Sequence, residues 1–319
     1  MYALILVDYN ALQKAVEYTK LCRQYLGQTG ASHVVIVENG TVEKPLEMLS
    51  EAFGEPKVCS CDQVAQTVYR FEKDGQQIAY CHSGGNVGYA KGNNLGVRIA
   101  DAIWSDPFYI ITNNDLVFEK PLDMAQVDSL FDRYPDVGII GPTVITPEGE
   151  RQSPRYWQTA FDRLFAAHWV PALGGLLGEK RRMELWREHC RDTLDDAQTG
   201  YHAWISGCFF FVRSEAFHRA GMFDEHTFLY AEEMILAKRL EAVGSRVYFC
   251  REIEVIHKHA ESTKKALAAF RMTQIDFAAN YYFYKTYMHT SPLVLALAKL
   301  SFALFTGLFK VKQLFKRGR

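Results

Sequence analysis

Short apolar segments that end in polar residues recur through the first half of the chain and constrain its fold most strongly. They predict strands at 3–7, 33–40, 76–83 and 108–115, separated by helical patterns at 11–26 and 93–104. Apolar strands that alternate with helices indicate a parallel sheet covered on both faces. Ligands of such sheets bind beyond the carboxyl ends of the strands. The sequence therefore predicts an α/β fold with a site where the polar strand ends meet, at Asp8–Asn10, Glu38–Asn39 and Asn113–Asp115.

The second half has a less regular pattern. Its first part, 151–204, contains Pro171 and several glycines, so we expect it to be rich in loops. Beyond it the pattern predicts strands at 208–212, 245–250 and 254–259, and helices at 214–220 and from about Glu232 to Val243.

Composition excludes some classes of protein. The 319 residues carry a net charge of −1, which disfavours a nucleic-acid binder. The seven cysteines are scattered without a CxxC pair, so neither a disulfide framework nor a zinc site is expected. A reducing cytoplasm fits this pattern. The segment "MYALILVDYN" lacks the features of a signal peptide, and we expect the catalytic body to stay in the cytosol.

The loop "HSGGNVGYAKGNNLG" (82–96) holds five glycines and three asparagines. Glycine allows backbone N–H groups to approach a ligand closely, and asparagine tolerates tight turns. The loop could lie under a nucleotide or a sugar, or it could be an ordinary strand-to-helix connection. It contains neither a Walker loop nor a GxGxxG fingerprint.

Three further stretches carry groups suited to chemistry. Asp115 follows Asn113 and Asn114 at a strand end, where a carboxylate could hold Mg²⁺ or Mn²⁺, or could cap backbone N–H groups in a turn. Adjacent Glu232 and Glu233 begin a helix, where one could act as a general base or both could simply favour the helix dipole. In "EVIHKHAESTKK" (254–265), the histidines could bind a metal and the hydroxyls and lysines could bind phosphate.

These pieces occur in an order that resembles the family 2 glycosyltransferases with a GT-A fold, especially bacterial rhamnosyltransferase-like members. The resemblance covers about 1–265, less clearly between 151 and 203. The matching segments are "VDYN" (7–10), "VIVENGT" (35–41), "GGNVGYAKGNNLGVRIA" (84–100), "IITNNDLVF" (110–118), "VGIIGPTV" (137–144), 204–249 and "VIHKHAEST" (255–263).

The resemblance implies an α/β, Rossmann-like GT-A domain at 1–265, with a mostly parallel sheet flanked by helices, and a C-terminal helical extension at 266–319. It also implies a role for each candidate residue. Asp115 and His257 would bind a divalent cation, Mg²⁺ or Mn²⁺, and Glu233 would be the general base, with Glu232 as its competitor. Trp204 and Ser206, Gly207 and Cys208 would shape the acceptor side. The donor would contact Asp8, Tyr9, Asn10, Glu38, Asn86, Gly88, Asn94, Asn114 and Asp115.

Departures from the family pattern fall at three motif positions. The usual Asp is Glu38 here, the common "NPD" reads "NND", and the common "ED" reads "EE" at 232–233. Every carboxylate of the motifs is retained as a carboxylate. The expected function is an inverting transfer of a sugar from dTDP-rhamnose or a UDP-hexose to a glycan or lipid-linked glycan in bacterial cell-surface polysaccharide synthesis.

Other functions fit parts of the sequence. A non-catalytic nucleotide-sugar sensor or scaffold would keep the donor pocket and could lose the base, yet both glutamates are present. A nucleotidyltransferase would normally carry a glycine-rich basic signature near its start, and "VDYNALQKAVEYTK" has none. A homodimer is left open.

The last 43 residues, 277–319, contain seven Lys and Arg and no acidic residue. A helix over 291–319 would place Leu293, Leu297, Leu300, Leu304, Leu308, Val311 and Phe315 on one stripe. A basic helix with an apolar face suits the surface of an anionic membrane, here the inner face of the plasma membrane. The alternatives are packing on the protein body or a dimer partner, and a membrane span, which Lys299 near the middle disfavours.

Overall fold

The computed structural model describes residues 1–61, 64–173, 178–258 and 266–317, with the backbone alone for 179, 266–269 and 312–317. Its chain divides into two compact units. The first comprises Met1–Arg155 with Thr193–Ser262, and the second comprises Tyr156–Asp192 with Thr263–Arg319. The predicted boundary near 265 lies close to the break after Ser262. The inclusion of 156–192 in the second unit differs from the predicted division, which assigned that segment to the first domain.

The first unit is built on an 11-stranded sheet. Its strands are β1 (Tyr2–Asp8), β2 (His33–Glu38), β3 (Lys57–Cys59), β4 (Val68–Lys73), β5 (Gln76–His82), β6 (Phe108–Thr112), β7 (Leu116–Val117), β8 (Val137–Ile145), β9 (Gly200–His202), β10 (Phe209–Arg213) and β11 (Arg246–His257). Their order is β3-β4-β5-β2-β1-β6-β10-β8-β11-β7, and β9 pairs with β11.

The helices of the first unit are α1 (Leu12–Ala31), α2 (Pro45–Phe53), α3 (Tyr89–Ile103), α4 (Met124–Arg133), α7 (Ser214–Arg219) and α8 (Glu232–Ala242). Those of the second unit are a π-helix (Asp162–Ala166), α5 (Ala167–Ala172), α6 (Glu179–His189), α9 (Ala266–Thr286) and α10 (Pro292–Arg317). The predicted mostly parallel α/β sheet flanked by helices is confirmed, as is the C-terminal helical extension.

Parallel pairing at the centre of the sheet aligns the strand ends. Strands β5, β2, β1 and β6 run parallel, so that Asp8 pairs with Glu38 and Glu38 pairs with His82. Strand β10 runs antiparallel to β6, and its first residue, Phe209, therefore pairs with Thr112 at the same edge. Strand β11 also ends there, because His257 pairs with Leu116. The polar residues that follow these strands share one rim of the sheet.

Apolar burial accounts for the regular part of this sheet. Residues 2–6 of β1 and 34–37 of β2 are fully buried, and burial of each large aliphatic side chain stabilises the fold by about 1.5–3 kcal/mol. Beneath the sheet an aromatic group joins β1, β6 and α4, with Tyr2 stacked on Phe108 and Phe108 stacked on Phe131.

Two predicted details differ from the structure. The strands predicted at 245–250 and 254–259 are one strand, β11, whose pairing with β8 shifts register between Cys250 and Glu254, where Arg251 and Glu252 are exposed. The segment 151–204, predicted to be rich in loops, is irregular at 152–159 and 190–199 but also contains the π-helix, α5 and α6. Pro171 occupies the last turn of α5, and the sequence of α6, EKRRMELWREH, is rich in strong helix formers.

The second unit is held together by aromatic side chains of α9 and α10. Phe277 stacks on Phe302 with ring centroids 3.9 Å apart, and Phe270 stacks on Phe309 at 4.2 Å. His168 of α5 is buried against the rings of Phe277, Phe302 and Phe305. Within the described residues, Pro292–Val311 is the one helical segment whose length and composition would allow it to cross a membrane.

Candidate active site

The carboxylate of Asp8 joins two of the loops at the rim. Its Oδ1 accepts a hydrogen bond from Asn114 Nδ2 at 2.6 Å, and its Oδ2 accepts one from the backbone N–H of Ala11 at 2.9 Å. Burial raises the pKa of Asp8, and the hydrogen bonds from Ala11 and Asn114 oppose that rise. Asp8 and Asn114, both predicted to bind the donor, therefore fix each other. Tyr9, the next residue, is 60% exposed.

Asn10 shapes the neighbouring loop. It adopts a left-handed backbone conformation with φ of 57°, and its Oδ1 accepts a hydrogen bond from the N–H of Thr41 at 2.7 Å. A Cβ on Gly40 would lie 2.2 Å from that same oxygen, so only glycine fits there.

Glu38 carries the most distinctive unsatisfied group of the rim. Its side chain is fully buried and its Oε2 accepts a hydrogen bond from Tyr80 OH at 2.7 Å. Its Oε1 is also buried and has no hydrogen-bond partner among the described residues. A buried acceptor without a donor costs about 1–3 kcal/mol. Tyr80 was not predicted, because it lies inside a strand and carries no motif signal.

Asn86 and Gly88 organise the glycine-rich loop. Asn86 Oδ1 accepts a hydrogen bond from Gly88 N–H at 3.1 Å, and the carbonyl of Gly88 accepts one from Asn39 Nδ2 at 2.9 Å. With φ of 87°, Gly88 is in a conformation that suits glycine, and a Cβ there would lie 2.3 Å from the Phe228 carbonyl oxygen. The loop is thus packed directly against the segment that precedes α8.

Asn94, predicted to contact the donor, uses its side-chain amide for hydrogen bonds within the protein. Its Nδ2 donates to the carbonyl of Phe223 at 2.9 Å and to Glu225 Oε1 at 3.0 Å, and its Oδ1 accepts from the N–H of Phe223. Although burial raises the pKa of Glu225, hydrogen bonds from Asn94 and Arg98 lower it overall. Because both amide hydrogens are used, we assign Asn94 to holding the 223–225 loop.

Asp115 and His257 form the candidate metal site. Asp115 Oδ1 lies 3.2 Å from His257 Nε2, within ion-pair distance, but it is buried and receives no well-directed hydrogen bond. Burial lowers the pKa of His257, whereas the Asp115 carboxylate and the Cys208 thiol raise it, to about 10 overall. Without a cation the protonated imidazole pairs with the carboxylate, and loss of the imidazole proton would leave Nε2 and Asp115 Oδ1 facing a shared cation. His259 of the predicted motif lies outside the described residues.

The Asp115 carboxylate is the kind of ligand that Mg²⁺ and Mn²⁺ prefer, and both ions commonly retain water or phosphate oxygens as further ligands. Within the described residues, no group of three or more His, Cys, Asp and Glu side chains is arranged to hold a metal. A cation here would therefore need ligands from a diphosphate or water besides Asp115 and His257.

Glu233 projects from the first turn of α8 toward the segment before β10. Its Oε1 accepts a hydrogen bond from the N–H of Gly207 at 3.1 Å, and the carbonyl of Gly207 accepts one from Tyr89 OH at 2.6 Å. Glu232, its neighbour, is only 3% exposed and points elsewhere. Tyr230 and Ala231, which precede the helix, have φ values of 74° and 65°, an unfavourable conformation for residues other than glycine.

The remaining residues predicted for the acceptor side are buried behind Gly207. Trp204 stacks with the guanidinium of Arg155, whose Cζ lies 5.0 Å from the ring centroid. Ser206 Oγ lies 3.4 Å from Cys208 Sγ, and the carbonyl of Cys208 accepts a hydrogen bond from the N–H of Asn113. The loop that carries Asp115 and the loop that holds Glu233 are thereby joined through two consecutive residues, Gly207 and Cys208.

Curated relatives of the chain are glycosyltransferases. The N-acetylglucosaminyl-diphospho-decaprenol L-rhamnosyltransferase of Mycobacterium tuberculosis is 28% identical over 196 residues, which are 57% of this chain and 59% of the relative. The chain thus matches about three fifths of that relative's length. The low-salt glycan biosynthesis hexosyltransferase Agl10 of Haloferax volcanii is 22% identical over 262 residues, which are 82% of this chain and 77% of the relative. A scan against models of protein families finds no match.

Solved structures share the fold. GalNAc-T7 with UDP, GalNAc and Mn²⁺ superposes with a TM-score of 0.54 at 12% identity, covering 81% of this chain and 44% of that one. The mannosyltransferase PcManGT from Pyrobaculum calidifontis, in complex with GDP-Man and Mn²⁺, superposes with a TM-score of 0.50 at 12% identity. The superposition covers 98% of this chain and 79% of the mannosyltransferase. These likenesses confirm the GT-A fold, and with the curated relatives they confirm the predicted resemblance to family 2-like glycosyltransferases.

Proposed function

We propose that this protein is an inverting, metal-dependent glycosyltransferase that moves a sugar from a nucleotide-diphosphate donor to a hydroxyl of a glycan or lipid-linked glycan. The observation that carries the proposal is the connection of Glu233 to the Asp115 loop through Gly207 and Cys208. A carboxylate base and a candidate cation site are thereby linked on one rim of a GT-A sheet. Both curated relatives are named as transferases of a sugar.

Asp115 and His257 would hold the divalent cation, Mg²⁺ or Mn²⁺. When bound, such a cation acts as a Lewis acid that neutralises charge on a departing diphosphate. The chain's own contribution is to keep Asp115 in place. The backbone helps here, because the carbonyl of Asp115 accepts a hydrogen bond from the N–H of Lys258, next to His257.

Glu233 would take the proton from the acceptor hydroxyl. Its Oε1 is occupied by the N–H of Gly207, which leaves Oε2 to receive the proton. The hydroxyl oxygen then attacks the anomeric carbon as the bond to the diphosphate breaks, so a single displacement inverts the configuration. Glu233 is preferred to Glu232 because Glu232 is only 3% exposed.

The base of the donor would lie at Glu38, the position that the resemblance to family 2 glycosyltransferases assigns to it. Glu38 Oε1 is a buried acceptor in need of a donor, and the imide N–H of thymine or uracil would supply one. A dTDP- or UDP-sugar is therefore the donor class that we test first, with dTDP-rhamnose and the UDP-hexoses as candidates. The names of the two relatives, a rhamnosyltransferase and a hexosyltransferase, agree with these sugars.

We also propose that α10 lies on the cytoplasmic surface of the plasma membrane. Its phenylalanines pack against α9, whereas an opposite stripe is 49–70% exposed and consists of Leu293, Leu297, Leu300, Leu304, Leu308 and Val311. The side chain of Phe315, predicted for this stripe, lies outside the described residues. A helix with an exposed apolar stripe and flanking basic residues suits an anionic lipid surface. Attachment would bring the enzyme to a lipid-linked acceptor used in polysaccharide synthesis.

Donor hydrolysis tests the reaction class. Purified protein is incubated with dTDP-, UDP- and GDP-sugars, with and without Mn²⁺, and the released nucleoside diphosphate is measured. Mn²⁺-dependent release from one donor, abolished by Asp115→Ala, is the expected result. A donor-induced rise in melting temperature without release, even when glycan acceptors are added, would favour the non-catalytic sensor or scaffold instead.

A further inference from the structure

Gln152 contacts His257, one of the two candidate metal ligands. Its Oε1 lies 2.8 Å from His257 Nδ1, on the side of the ring opposite to Asp115. No sequence motif singled out this residue, because it lies in the poorly matched segment beyond 150 and carries no charge. Gln152 and His257 are 105 residues apart in the sequence, and only folding brings them within hydrogen-bond distance.

The backbone holds Gln152 firmly next to the strand that bears His257. A turn at 146–150 follows β8, in which Thr146 N–H donates to the carbonyl of Glu150. The N–H of Gln152 then donates to the carbonyl of Val144 at 2.8 Å. Since Val144 pairs with Val255 of β11, the glutamine is tied to the sheet two residues away from the histidine.

The chemistry of the contact determines which ring nitrogen faces the cation. An amide oxygen only accepts hydrogen bonds, so His257 Nδ1 must carry a hydrogen and donate it to Gln152. When the ring is neutral, as binding of a metal requires, its lone pair then lies on Nε2, the nitrogen that faces Asp115 Oδ1 at 3.2 Å. A neutral amide achieves this without adding negative charge to the site. Histidine ligands of metals commonly depend on such a partner for tautomer and ring orientation.

We propose that Gln152 is a positioning residue for the divalent cation, which it serves by fixing the His257 ring with Nε2 toward Asp115. The inference rests on the proposed function, because it takes Asp115 and His257 as the cation ligands. It adds a residue outside the ligand set on which the affinity for the cation depends.

Manganese affinity tests the inference without any measurement of transfer. Free Mn²⁺ is followed by electron paramagnetic resonance as it is titrated into full-length protein with saturating UDP or dTDP. Gln152→Leu is expected to weaken Mn²⁺ binding about 10- to 100-fold, the usual effect of removing such a partner. Gln152→Glu retains the acceptor and is expected to stay within about threefold of the wild type. Gln13→Leu, an exposed glutamine on α1, is the control and should have no effect.

A second measurement separates positioning from general damage. Histidine ¹⁵N NMR spectra, recorded with Mg²⁺ and nucleoside diphosphate, report which ring nitrogen carries the hydrogen. The signals of His257 are identified as those that disappear in the variant His257→Gln. Wild type and Gln152→Glu are expected to have hydrogen on Nδ1 and none on Nε2, and Gln152→Leu is expected to lose that preference. If Gln152→Leu has the same Mn²⁺ affinity or the same His257 tautomer as the wild type, the inference about Gln152 is wrong, whereas the proposed function is unaffected. Wild-type protein that binds no Mn²⁺ with any nucleotide would overturn both.

Discussion

Glu233 Oε1 accepts a hydrogen bond from the N–H of Gly207 at 3.1 Å, at a distance that leaves no room for a side chain on residue 207. A Cβ there would lie 2.6 Å from both Cγ and Oε1 of Glu233. Side-chain atoms essentially never approach so closely, so a substitution must displace the glutamate. The side chain of Glu233, the proposed base, can therefore keep this orientation only while residue 207 is glycine.

Gly207→Ala is expected to lower kcat about 100-fold, since a displacement of about 1 Å can cost that much when it moves a reacting group. The loss is expected mainly in kcat, because the donor contacts lie elsewhere. Gly307→Ala is a suitable control, as a Cβ at that helical position meets no atom within 4 Å. Equal activity of Gly207→Ala and wild type would show that Glu233 needs no fixed orientation.

Glu233→Gln is expected to reduce transfer by a factor of about 100 to 10,000, the usual contribution of a general base, while donor binding is retained. Steady-state transfer and nucleotide binding would be measured on the same preparation. The competing assignment is checked with Glu232→Gln, for which a smaller loss is expected, and the exposed Glu241→Gln serves as the control. A larger loss in Glu232→Gln than in Glu233→Gln would reverse the assignment.

Asp115→Asn removes the carboxylate charge from the candidate cation site and is expected to lower Mn²⁺-dependent transfer about 100-fold or more. Stabilisation of transition-state charge by such a cation is worth several kcal/mol, and about 1.4 kcal/mol corresponds to each factor of ten. The nearby Glu119→Gln removes an exposed carboxylate and should leave the rate unchanged. Full activity of Asp115→Asn across a Mn²⁺ titration would contradict the role given to this residue.

Strand ends were predictable from the sequence because parallel pairing brings the carboxyl ends of neighbouring strands to one edge. That rule alone located Asp8, Glu38 and Asp115 on a common rim. It could not locate Tyr80 or Gln152, which carry no strand-end signal and reach the site through pairings that only the folded sheet defines.

Partners of individual side chains were the least predictable feature. Asn94 belongs to a glycine-rich sequence that favours ligand binding, yet it lies in α3 and both its amide hydrogens go to the loop at 223–225, which is far away in sequence. Similarly, the leucine stripe of 291–319 follows from helical spacing, whereas the role of the phenylalanines depends on rings of α9. Periodicity identifies a face but does not identify what covers it.

Leu297→Glu combined with Leu304→Glu is expected to lower binding to lipid vesicles at least tenfold, because each leucine contributes about 1.5–3 kcal/mol when its side chain leaves water. Sedimentation with vesicles of phosphatidylcholine and phosphatidylglycerol measures this. The control is Ala296→Glu with Ala303→Glu, which adds the same charge at exposed positions about 100° around the helix. Equal losses in both double variants would indicate that charge alone, and not the leucine stripe, governs binding.

Acid is expected to destabilise the protein partly through His168. Burial among aromatic rings lowers the pKa of this side chain to about 4, below its ordinary 6.5. Between these values the unfolded chain binds more protons than the folded one, so stability is present above pH 6.5 and is lost as the pH falls toward 4. The loss amounts to at most about 3 kcal/mol.

His168→Phe should therefore narrow the difference in melting temperature between pH 7.5 and pH 5. Thermal unfolding at several pH values measures this difference, and the exposed His289→Asn should leave it unchanged. If the two variants and the wild type respond to acid identically, protonation of His168 is not coupled to unfolding.

The phenylalanine face and the leucine face of α10 should differ in the substitutions that they tolerate. Phe302 and Phe309 each stack on one specific ring of α9, so a replacement there succeeds only together with a change of its partner. Leu297 and Leu304 are 49% and 59% exposed and need only be apolar, so that isoleucine, valine or methionine would serve equally. Among homologous chains, the phenylalanine face should therefore vary in correlated pairs with α9, while the leucine face drifts freely among aliphatic residues.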